Sequence, residues 1–313
     1  MESYQTELLE ASKRISPFIH RTPVLSSTLI DQIVGASVMF KCENFQKGGA
    51  YKIRGATNAI LKLNPEKRAL GVVTHSSGNF AQALSLAAKS CGIEAHIIMP
   101  ENAPLVKVNA VKTYGGIIHQ SKSTLEDREA VSKSVMQHTG ATFIHPSNDL
   151  DVIFGQGTAC LELLQDYPNL DVVFVPVGGG GLIAGSAIAV SYLSKKCEII
   201  GGEPFEADDA YRSLKSGRIE SNVSTNTIAD GLRTQLGDKN FPIIQKHVKQ
   251  IIRVTEDEIV EAMRLIWERM KIIVEPSSAV AFAALKRESD QFKGKSLGVV
   301  ISGGNVDLSN LPF

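Results

Sequence analysis

A lysine that follows a run of small residues is the first candidate for chemistry in this sequence. Lys52 comes after Gly48-Gly49-Ala50-Tyr51 and before Ile53-Arg54-Gly55-Ala56, where a helix is predicted to continue. Small residues let a flat ligand approach the backbone, and the Tyr51 ring offers an apolar face beside the amine. A strand-to-helix turn is where ligands of α/β proteins usually bind. Because a single such lysine is more often a surface residue, the segments around it must decide its role.

Four consecutive glycines form the second candidate segment. Gly178, Gly179, Gly180 and Gly181 follow an apolar run typical of a buried parallel strand and precede an apolar helix. Backbone N–H groups of a loop without Cβ atoms can converge on an anion, and the helix N-terminus adds partial positive charge. The spacing matches neither the dinucleotide fingerprint nor the P-loop. A phosphate cradle and a lysine that can form an imine are the two attachments that pyridoxal phosphate (PLP) requires.

Two further strand ends carry polar groups. The apolar residues 71–74 lead into a loop with Ser76, Ser77 and Asn79, whose hydroxyls and amide could hold a carboxylate and a phenolic oxygen. Ser302 follows the apolar run 297–301 and precedes two glycines. Taken alone, the serine segment is more simply explained as a helix cap, and Ser302 can belong to an ordinary turn that ends a strand.

Together the four segments resemble the fold-type II PLP enzymes, the group of tryptophan synthase β and threonine dehydratase, and within it the serine racemases of eukaryotic type. The resemblance runs from about residue 15 to the end. It implies an α/β fold of two open, twisted, mostly parallel sheets flanked by helices. It also implies cofactor contacts: Lys52 as the covalent attachment with Tyr51 beside it, Gly178 to Gly181 on the phosphate, Asn79 on the phenolic oxygen and Ser302 on the pyridine nitrogen.

The same resemblance implies the catalytic and substrate residues. Ser77 occupies the position of the second acid/base in serine racemases, where threonine dehydratases have alanine. The substrate carboxylate would be surrounded by Ser76, Ser77, Asn79 and Arg128. Two segments depart from the family pattern, because Phe80 replaces a histidine and Ala50-Tyr51 replaces Ser-Phe. Both lie next to the reacting centre, so they bear on substrate preference and leave the imine and proton chemistry intact.

Three functions are compatible with these motifs. The resemblance favours a PLP-dependent racemase of L- and D-serine that also eliminates serine to pyruvate and ammonia. The alternative is a dehydratase of threonine or 3-hydroxyaspartate with little racemase activity. A nucleotide-binding or regulatory protein on the same scaffold is disfavoured, because the lysine and the phosphate loop are both intact.

A cation and a nucleotide are further expected ligands. An acidic cluster could supply oxygen ligands to Mg²⁺ or another hard cation such as Ca²⁺ or Mn²⁺. The resemblance assigns these ligands to Glu203, the Ala207 carbonyl and Asp209, although such carboxylates also simply complement a helix start. Lys47, Lys271 and Asn305 match positions near a nucleotide site at a dimer interface. The resemblance implies a homodimer. Because Gly48 replaces a threonine at the nucleotide site, we expect weak or absent activation by ATP.

Composition limits the other partners. The 313 residues are 43% hydrophobic and 21% charged with a formal net charge of zero, which favours neither nucleic acid nor an anionic membrane. No apolar stretch has the length of a membrane span and no secretion pattern is present, so a cytoplasmic location is expected. The four cysteines are widely separated, which indicates thiols and no disulfide framework or zinc site.

Alternating strands and helices predict the domain organisation. Four short apolar runs, at residues 71–74, 95–100, 116–119 and 142–145, are separated by helical stretches and predict a compact parallel sheet. We therefore expect residues 71–148 to form a small domain that closes over the substrate. Residues 1–70 and 149–313 would form the larger PLP-binding domain.

Overall fold

Strands and helices alternate through residues 2–313, the part of the chain that the computed structural model describes. The strands are β1 (Val24–Leu25), β2 (Ser37–Cys42), β3 (Val72–His75), β4 (Ala95–Pro100), β5 (Ile117–Ser121), β6 (Thr142–Phe143), β7 (Val172–Pro176), β8 (Glu198–Pro204), β9 (Gln250–Val254) and β10 (Ser296–Ile301). The helices are α1 (Glu2–Ile15), α2 (Thr28–Val34), α3 (Lys52–Lys62), α4 (Pro65–Ala69), α5 (Asn79–Ser90), α6 (Leu105–Thr113), α7 (Leu125–Thr139), α8 (Leu150–Asp166), α9 (Gly181–Leu193), α10 (Asp209–Ser216), α11 (Phe241–His247), α12 (Glu256–Met270) and α13 (Pro276–Arg287).

The strands form two sheets, which confirms the predicted α/β class. The larger sheet has the order β1-β2-β10-β7-β8-β9, and only the β1–β2 pair is antiparallel. The smaller sheet has the order β5-β4-β3-β6 and is parallel throughout. The four apolar runs predicted within residues 71–148 are the strands of this smaller sheet, with ends shifted by one or two residues. The division into two domains that close on each other stays a prediction.

Helices cover both faces of the larger sheet, so its central strands are apolar on both sides. Successive residues of a strand point to opposite faces. In β7, Val172 and Phe174 pack with α12 and α13, whereas Val173 and Val175 pack with α8 and α9. This arrangement explains why the sequence of β7 shows a continuous apolar run and no alternation.

Helix α3 lies between the larger and the smaller sheet. It packs against α8 beside the larger sheet and against α5 beside the smaller one. The crossing with α8 is close because glycines face each other: a Cβ at Gly155 would lie 2.5 Å from the Arg54 carbonyl, and a Cβ at Gly55 would lie 2.8 Å from the Val152 carbonyl. Since α3 begins at Lys52, this crossing positions the lysine.

A buried ionic network anchors the first turn of α3. The Arg54 guanidinium is fully buried and donates to both oxygens of Glu43 at 2.7 and 2.8 Å. It also donates to both oxygens of Glu162, at 2.8 and 2.9 Å, and Lys41 donates to Glu162 at 2.6 Å. Burying charge is costly unless the charges are paired and hydrogen-bonded, as they are here.

None of the helices within residues 2–313 has the length and apolar composition that a membrane span requires.

The network predicts a large stability effect for a change at Arg54. Replacing it in Arg54→Met leaves the carboxylates of Glu43 and Glu162 short of a partner, so the free energy of unfolding should fall by about 3–5 kcal/mol. Urea denaturation measures the change. The control is Arg21→Met, which breaks the exposed pair of Arg21 with Asp166 and should cost less than about 1 kcal/mol. Equal effects of the two substitutions would contradict the structural role given to the buried network.

Candidate active site

Lys52 lies at the carboxyl edge of the sheets, at the start of α3. Its Nζ donates to the Pro146 carbonyl at 3.1 Å, in the loop between β6 and α8. The Tyr51 ring centroid is 5.0 Å from Nζ and the Phe80 ring centroid is 5.8 Å from it. The residue that replaces a family histidine therefore faces the amine, as expected for a position next to the reacting centre.

The surroundings of Lys52 favour the neutral amine more than water does. Burial lowers the pKa of Lys52 to about 8, although the Glu275 carboxylate acts in the opposite direction. Burial also raises the pKa of Glu275 to about 7, while a hydrogen bond from Asn79 opposes that shift. A lysine is nucleophilic only when neutral, so its environment prepares it to attack a carbonyl group.

The four glycines are packed so closely that a Cβ would collide at each of them. It would lie 2.7 Å from Leu232 Cα at Gly178, and 2.6 Å from a Leu236 methyl at Gly180, which also has a φ of +78°. At Gly179 it would overlap the Ser147 hydroxyl, and at Gly181 it would lie 2.5 Å from Gln156 Oε1. The last of these glycines begins α9. Space therefore requires glycine at all four positions, and at Gly180 the backbone conformation requires it as well.

Lys52 and the glycine loop meet through one short segment. Pro146 accepts from Lys52, and the next residue, Ser147, lies against Gly179 and Gly181. His145 shapes this segment, because its Nδ1 accepts from the backbone N–H groups of Ser147 and Asn148 at 3.2 and 2.8 Å. The amine and the glycine loop thus line the same site.

Asn79 begins α5 and its amide is fixed on both sides. Its Nδ2 donates to the two oxygens of Glu275 at 2.9 and 3.1 Å. Its Oδ1 accepts from Asn305 Nδ2 at 3.0 Å, and the same Asn305 nitrogen donates to the Gly48 carbonyl at 2.8 Å. Of the positions expected near a nucleotide, Asn305 is therefore joined directly to Asn79, and Gly48 is joined to it through Asn305.

Ser302 follows β10 and is buried beside Ser278. The two hydroxyl oxygens are 3.0 Å apart, and Ser278 Oγ also accepts from the Gly303 N–H at 2.6 Å. The Ser302 carbonyl accepts from the Tyr51 N–H at 3.0 Å. The backbone next to Lys52 is thus paired to the end of β10.

The serine loop and Arg128 are less closely joined to the lysine. Ser76 and Ser77 are half-buried between β3 and α5, and Ser76 Oγ accepts from the Gly78 N–H at 3.4 Å. Arg128 lies on α7, where its Nε donates to the Thr124 carbonyl of the same helix at 3.4 Å. Burial and the Arg128 charge lower the pKa of His75, at the end of β3. Within residues 2–313, no hydrogen bond joins Arg128 to Ser76, Ser77 or Asn79.

The acidic cluster lies at the end of β8. Glu203 and Asp209 are fully buried, and Glu203 accepts from the N–H groups of Ala210 and Tyr211 at 3.0 and 2.8 Å. Burial and the neighbouring Asp209 raise the pKa of Glu203 well above its usual range. Asp209 Oδ2 accepts from the Leu236 N–H at 2.9 Å, whereas its Oδ1 has no partner among the described residues. Two buried carboxylates and an unpaired oxygen next to the buried Ala207 suit a hard cation.

Several residues of the site were not predicted from the sequence. Glu275, Gln156 and Ser278 look like ordinary polar residues at a helix start or inside a helix. Gln156 Nε2 donates to the Pro146 carbonyl at 3.3 Å, while its Oε1 is buried without a partner among residues 2–313. The sequence offers no signal for them, because the burial of Glu275 before Pro276 is visible only in the structure. Their roles depend on segments that are distant in the chain.

A glycine loop without side chains and a nearby lysine with a lowered pKa fit an aldehyde cofactor that carries a phosphate. A family model described as pyridoxal-phosphate dependent enzyme matches residues 15–303, and the chain belongs to this family. It is 48% identical over 309 residues to the serine racemase of Dictyostelium discoideum, covering 97% of this chain and 95% of that protein. It is 45% identical over 307 residues to the β-hydroxyaspartate dehydratase of Paracoccus denitrificans, covering 98% of each. The solved structure of maize serine racemase aligns with a TM-score of 0.95 at 49% identity, covering 97% of this chain and 94% of that one.

The electrostatics of Lys52 predict a pH dependence for cofactor attachment. Because the lysine reacts only when neutral, the rate of covalent attachment of PLP to cofactor-free protein should rise with pH through a midpoint near the pKa of about 8. An ordinary lysine would give a midpoint of about 10.4. Stopped-flow measurement of the visible absorbance follows the reaction.

The variant Glu275→Gln tests how Glu275 affects the pKa of Lys52. At pH 8 the Glu275 carboxylate is mostly ionised, since its pKa is about 7, and it stabilises the ammonium form of Lys52. Removing that charge should therefore lower the midpoint, while the glutamine can still accept from Asn79. An upward shift in this variant would show that Glu275 acts on Lys52 in another way.

Proposed function

We propose that the protein is a PLP-dependent serine racemase that also eliminates serine to pyruvate and ammonia. The observation that carries the proposal is the shared loop 145–148, which joins the reactive amine of Lys52 to the glycine cradle. The serine racemases of Dictyostelium and maize, similar along almost the whole chain, support the choice of substrate.

The residues that would hold the cofactor are Lys52 for the covalent bond, Gly178 to Gly181 for the phosphate, Asn79 for the phenolic oxygen and Ser302 for the pyridine nitrogen. Tyr51 would lie along the ring. When bound, PLP supplies a conjugated ring that accepts the electron pair left by the departing α-proton of the substrate. All further steps depend on side chains of the protein.

Lys52 and Ser77 would move the proton on opposite faces of the substrate. Lys52 takes or returns it on one face, for which a pKa near 8 is well suited. Inversion requires a second group on the other face, and we assign that role to the Ser77 hydroxyl. Ser76, Asn79 and Arg128 would hold the substrate carboxylate, for which Arg128 has to turn from the Thr124 carbonyl toward the serine loop.

Ser302 would favour elimination as a competing reaction. A hydroxyl can donate to the pyridine nitrogen without bringing a negative charge beside it, so the nitrogen need not be protonated. Ser278 donates its own proton to the Gly303 carbonyl at 2.6 Å, so the Ser302 proton would turn to the nitrogen from the Ser278 oxygen, 3.0 Å away. With a weaker electron sink, rapid return of the proton competes with loss of the β-hydroxyl, and one site produces both D-serine and pyruvate.

A second candidate is dehydration of 3-hydroxyaspartate, with threonine as another substrate. The β-hydroxyaspartate dehydratase of Paracoccus, at 45% identity, favours it. The replacement by Phe80, whose ring lies 5.8 Å from Lys52 Nζ, is the position in the site at which preference for the β-substituent can differ. Both candidates share Lys52 and the glycine cradle.

Other ligands and the molecular setting complete the proposal. Glu203, the Ala207 carbonyl and Asp209 would bind Mg²⁺, with Ca²⁺ or Mn²⁺ as substitutes. We further propose a cytoplasmic homodimer with a small closing domain at residues 71–148. A weak nucleotide effect would act near Lys47, Lys271 and Asn305, and the Asn305 contact with Asn79 gives it a direct route to the site.

Substitution of Ser77 should affect racemisation far more than elimination. In Ser77→Ala, D-serine formation from L-serine should fall by about 10²- to 10⁴-fold, because one face loses its acid/base group. Pyruvate formation needs only the lysine face and should fall far less. Chiral chromatography and a pyruvate assay on one preparation measure both products, with 3-hydroxyaspartate as a parallel substrate.

Two variants serve as controls for this experiment. Ser76→Ala removes the neighbouring hydroxyl and should not separate the two reactions, whereas Lys52→Ala should abolish both. Equal losses of D-serine and pyruvate in Ser77→Ala would mean that Ser77 only positions the carboxylate. Near-native turnover in Lys52→Ala would refute the proposed function.

Cation binding is tested by chelation. At about 100 times its dissociation constant, Mg²⁺ should stabilise the folded protein by about 2.7 kcal/mol and raise the melting temperature by several degrees relative to chelator. Asp209→Ala should lose this response, because Asp209 provides the unpaired oxygen. The exposed Glu206→Ala is the matched control and should retain it. An unchanged melting temperature in the native protein would show that the acidic cluster binds no cation and only complements the helix start.

A further inference from the structure

One segment, residues 232–240, covers the outer side of the glycine loop. A Cβ at Gly178 would lie 2.7 Å from Leu232 Cα, and one at Gly179 would lie 3.0 Å from Thr234 Oγ1. Leu236 and Asn240 together occupy the space beside Gly180. Three of the four glycines of the phosphate cradle therefore depend for their position on this covering segment.

Asn240 ties the covering segment to two walls of the cradle. Its side chain is fully buried, and its Nδ2 donates to the Gly179 carbonyl at 2.8 Å and to the Ser147 carbonyl at 3.1 Å. Its Oδ1 accepts from the Gly237 N–H at 3.1 Å, which fixes the orientation of the amide. One side chain thus joins the glycine loop to the segment that also receives Lys52.

The middle of the covering segment is tied to the acidic cluster. The Leu236 N–H donates to Asp209 Oδ2 at 2.9 Å, and the partnerless Oδ1 of the same carboxylate is the atom available to a cation. Leu236 also contacts the cradle, because its methyl group lies beside Gly180. A single carboxylate therefore faces both the cation site and the segment that holds the phosphate loop.

We propose that residues 232–240 couple the cation site to the phosphate cradle, with Asn240 as the positioning residue. This inference rests on the proposed PLP and cation sites. A cation on Asp209 Oδ1 restricts the carboxylate, which holds Leu236 and keeps Asn240 on the two carbonyls. Phosphate in the cradle restrains the same segment from the other side. Because such coupling is reciprocal, each ligand strengthens the binding of the other by the same factor.

The test measures binding in the full-length holoenzyme, not turnover. Equilibrium dialysis against graded concentrations of PLP, with Mg²⁺ or with chelator, gives the two PLP dissociation constants from bound cofactor absorbance. In the native protein we expect tighter PLP binding with Mg²⁺, by a factor of about 5 or more, the lower end of measured couplings. Calorimetric titration of Mg²⁺ into the holoenzyme provides the cation affinity.

Asn240→Ala should remove the coupling. Loss of two buried hydrogen bonds should weaken PLP binding roughly 10-fold, and Mg²⁺ should no longer change it. Mg²⁺ should also bind the variant holoenzyme more weakly than the native one, by the native coupling factor. The exposed neighbour Lys239→Ala is the matched control and should behave as the native protein does. Asn240→Ser, which keeps a donor too short to reach both carbonyls, replaces the alanine variant if that one fails to fold.

The outcomes separate this inference from the proposed function. Absence of cofactor absorbance in the native protein would refute the PLP site itself. Normal PLP binding with no effect of Mg²⁺ in the native protein, or an undiminished Mg²⁺ effect in Asn240→Ala, would overturn the coupling and leave the proposed racemase intact.

Discussion

The close crossing of α3 and α8 is the constraint on which the site depends. Gly55 and Gly155 let the two backbones approach, and the buried Arg54 network holds the first turn of α3. Lys52 is the first residue of α3, and the loop ending at α8 carries the Pro146 carbonyl and Ser147. Because both helices start at the site and are fixed against each other, the amine and the glycine cradle keep one geometry. A side chain at either glycine would separate the helices and displace Lys52 from the cradle.

Burial then determines the chemistry of the groups that this crossing brings together. Lys52 and Glu275 are both poorly hydrated, and burial lowers the pKa of the lysine and raises that of the acid until both lie near neutrality. Asn79 donates to the acid and limits that rise. The result is an amine that is nucleophilic at moderate pH and a neighbouring carboxylate that can still carry charge. Neither property belongs to the residue types alone.

The phosphate cradle depends on contacts between distant parts of the chain. The glycine loop follows β7, but the space around it is filled by the loop before α8, by Gln156 and by residues 232–240. The same covering segment reaches the buried Asp209 at the start of α10. Lys52, the glycine loop and the acidic cluster therefore share the carboxyl edge of the larger sheet, as expected where parallel strands all point one way.

The amino-acid sequence by itself determined the local parts of this protein. The apolar run before the glycines predicted β7, the apolar run after them predicted α9, and Lys52 was correctly placed at the start of a helix. Strand ends were wrong by one or two residues, as at β5 and β6, because an apolar run does not show where pairing stops. These features could be predicted because helices and strands depend on the residue types and hydrophobic periodicity of neighbouring positions.

Only the tertiary structure decided which distant polar groups meet. Glu275, Gln156, Ser278 and Asn240 are ordinary polar residues in the sequence, yet each is buried and paired across long stretches of chain. Likewise, the resemblance assigned Arg128 to the substrate carboxylate, and only the structure shows that its Nε donates to the Thr124 carbonyl of its own helix; the assigned role stays a prediction. Partners and burial follow from packing of whole elements, and the free energy of that packing is not contained in any local pattern of residues.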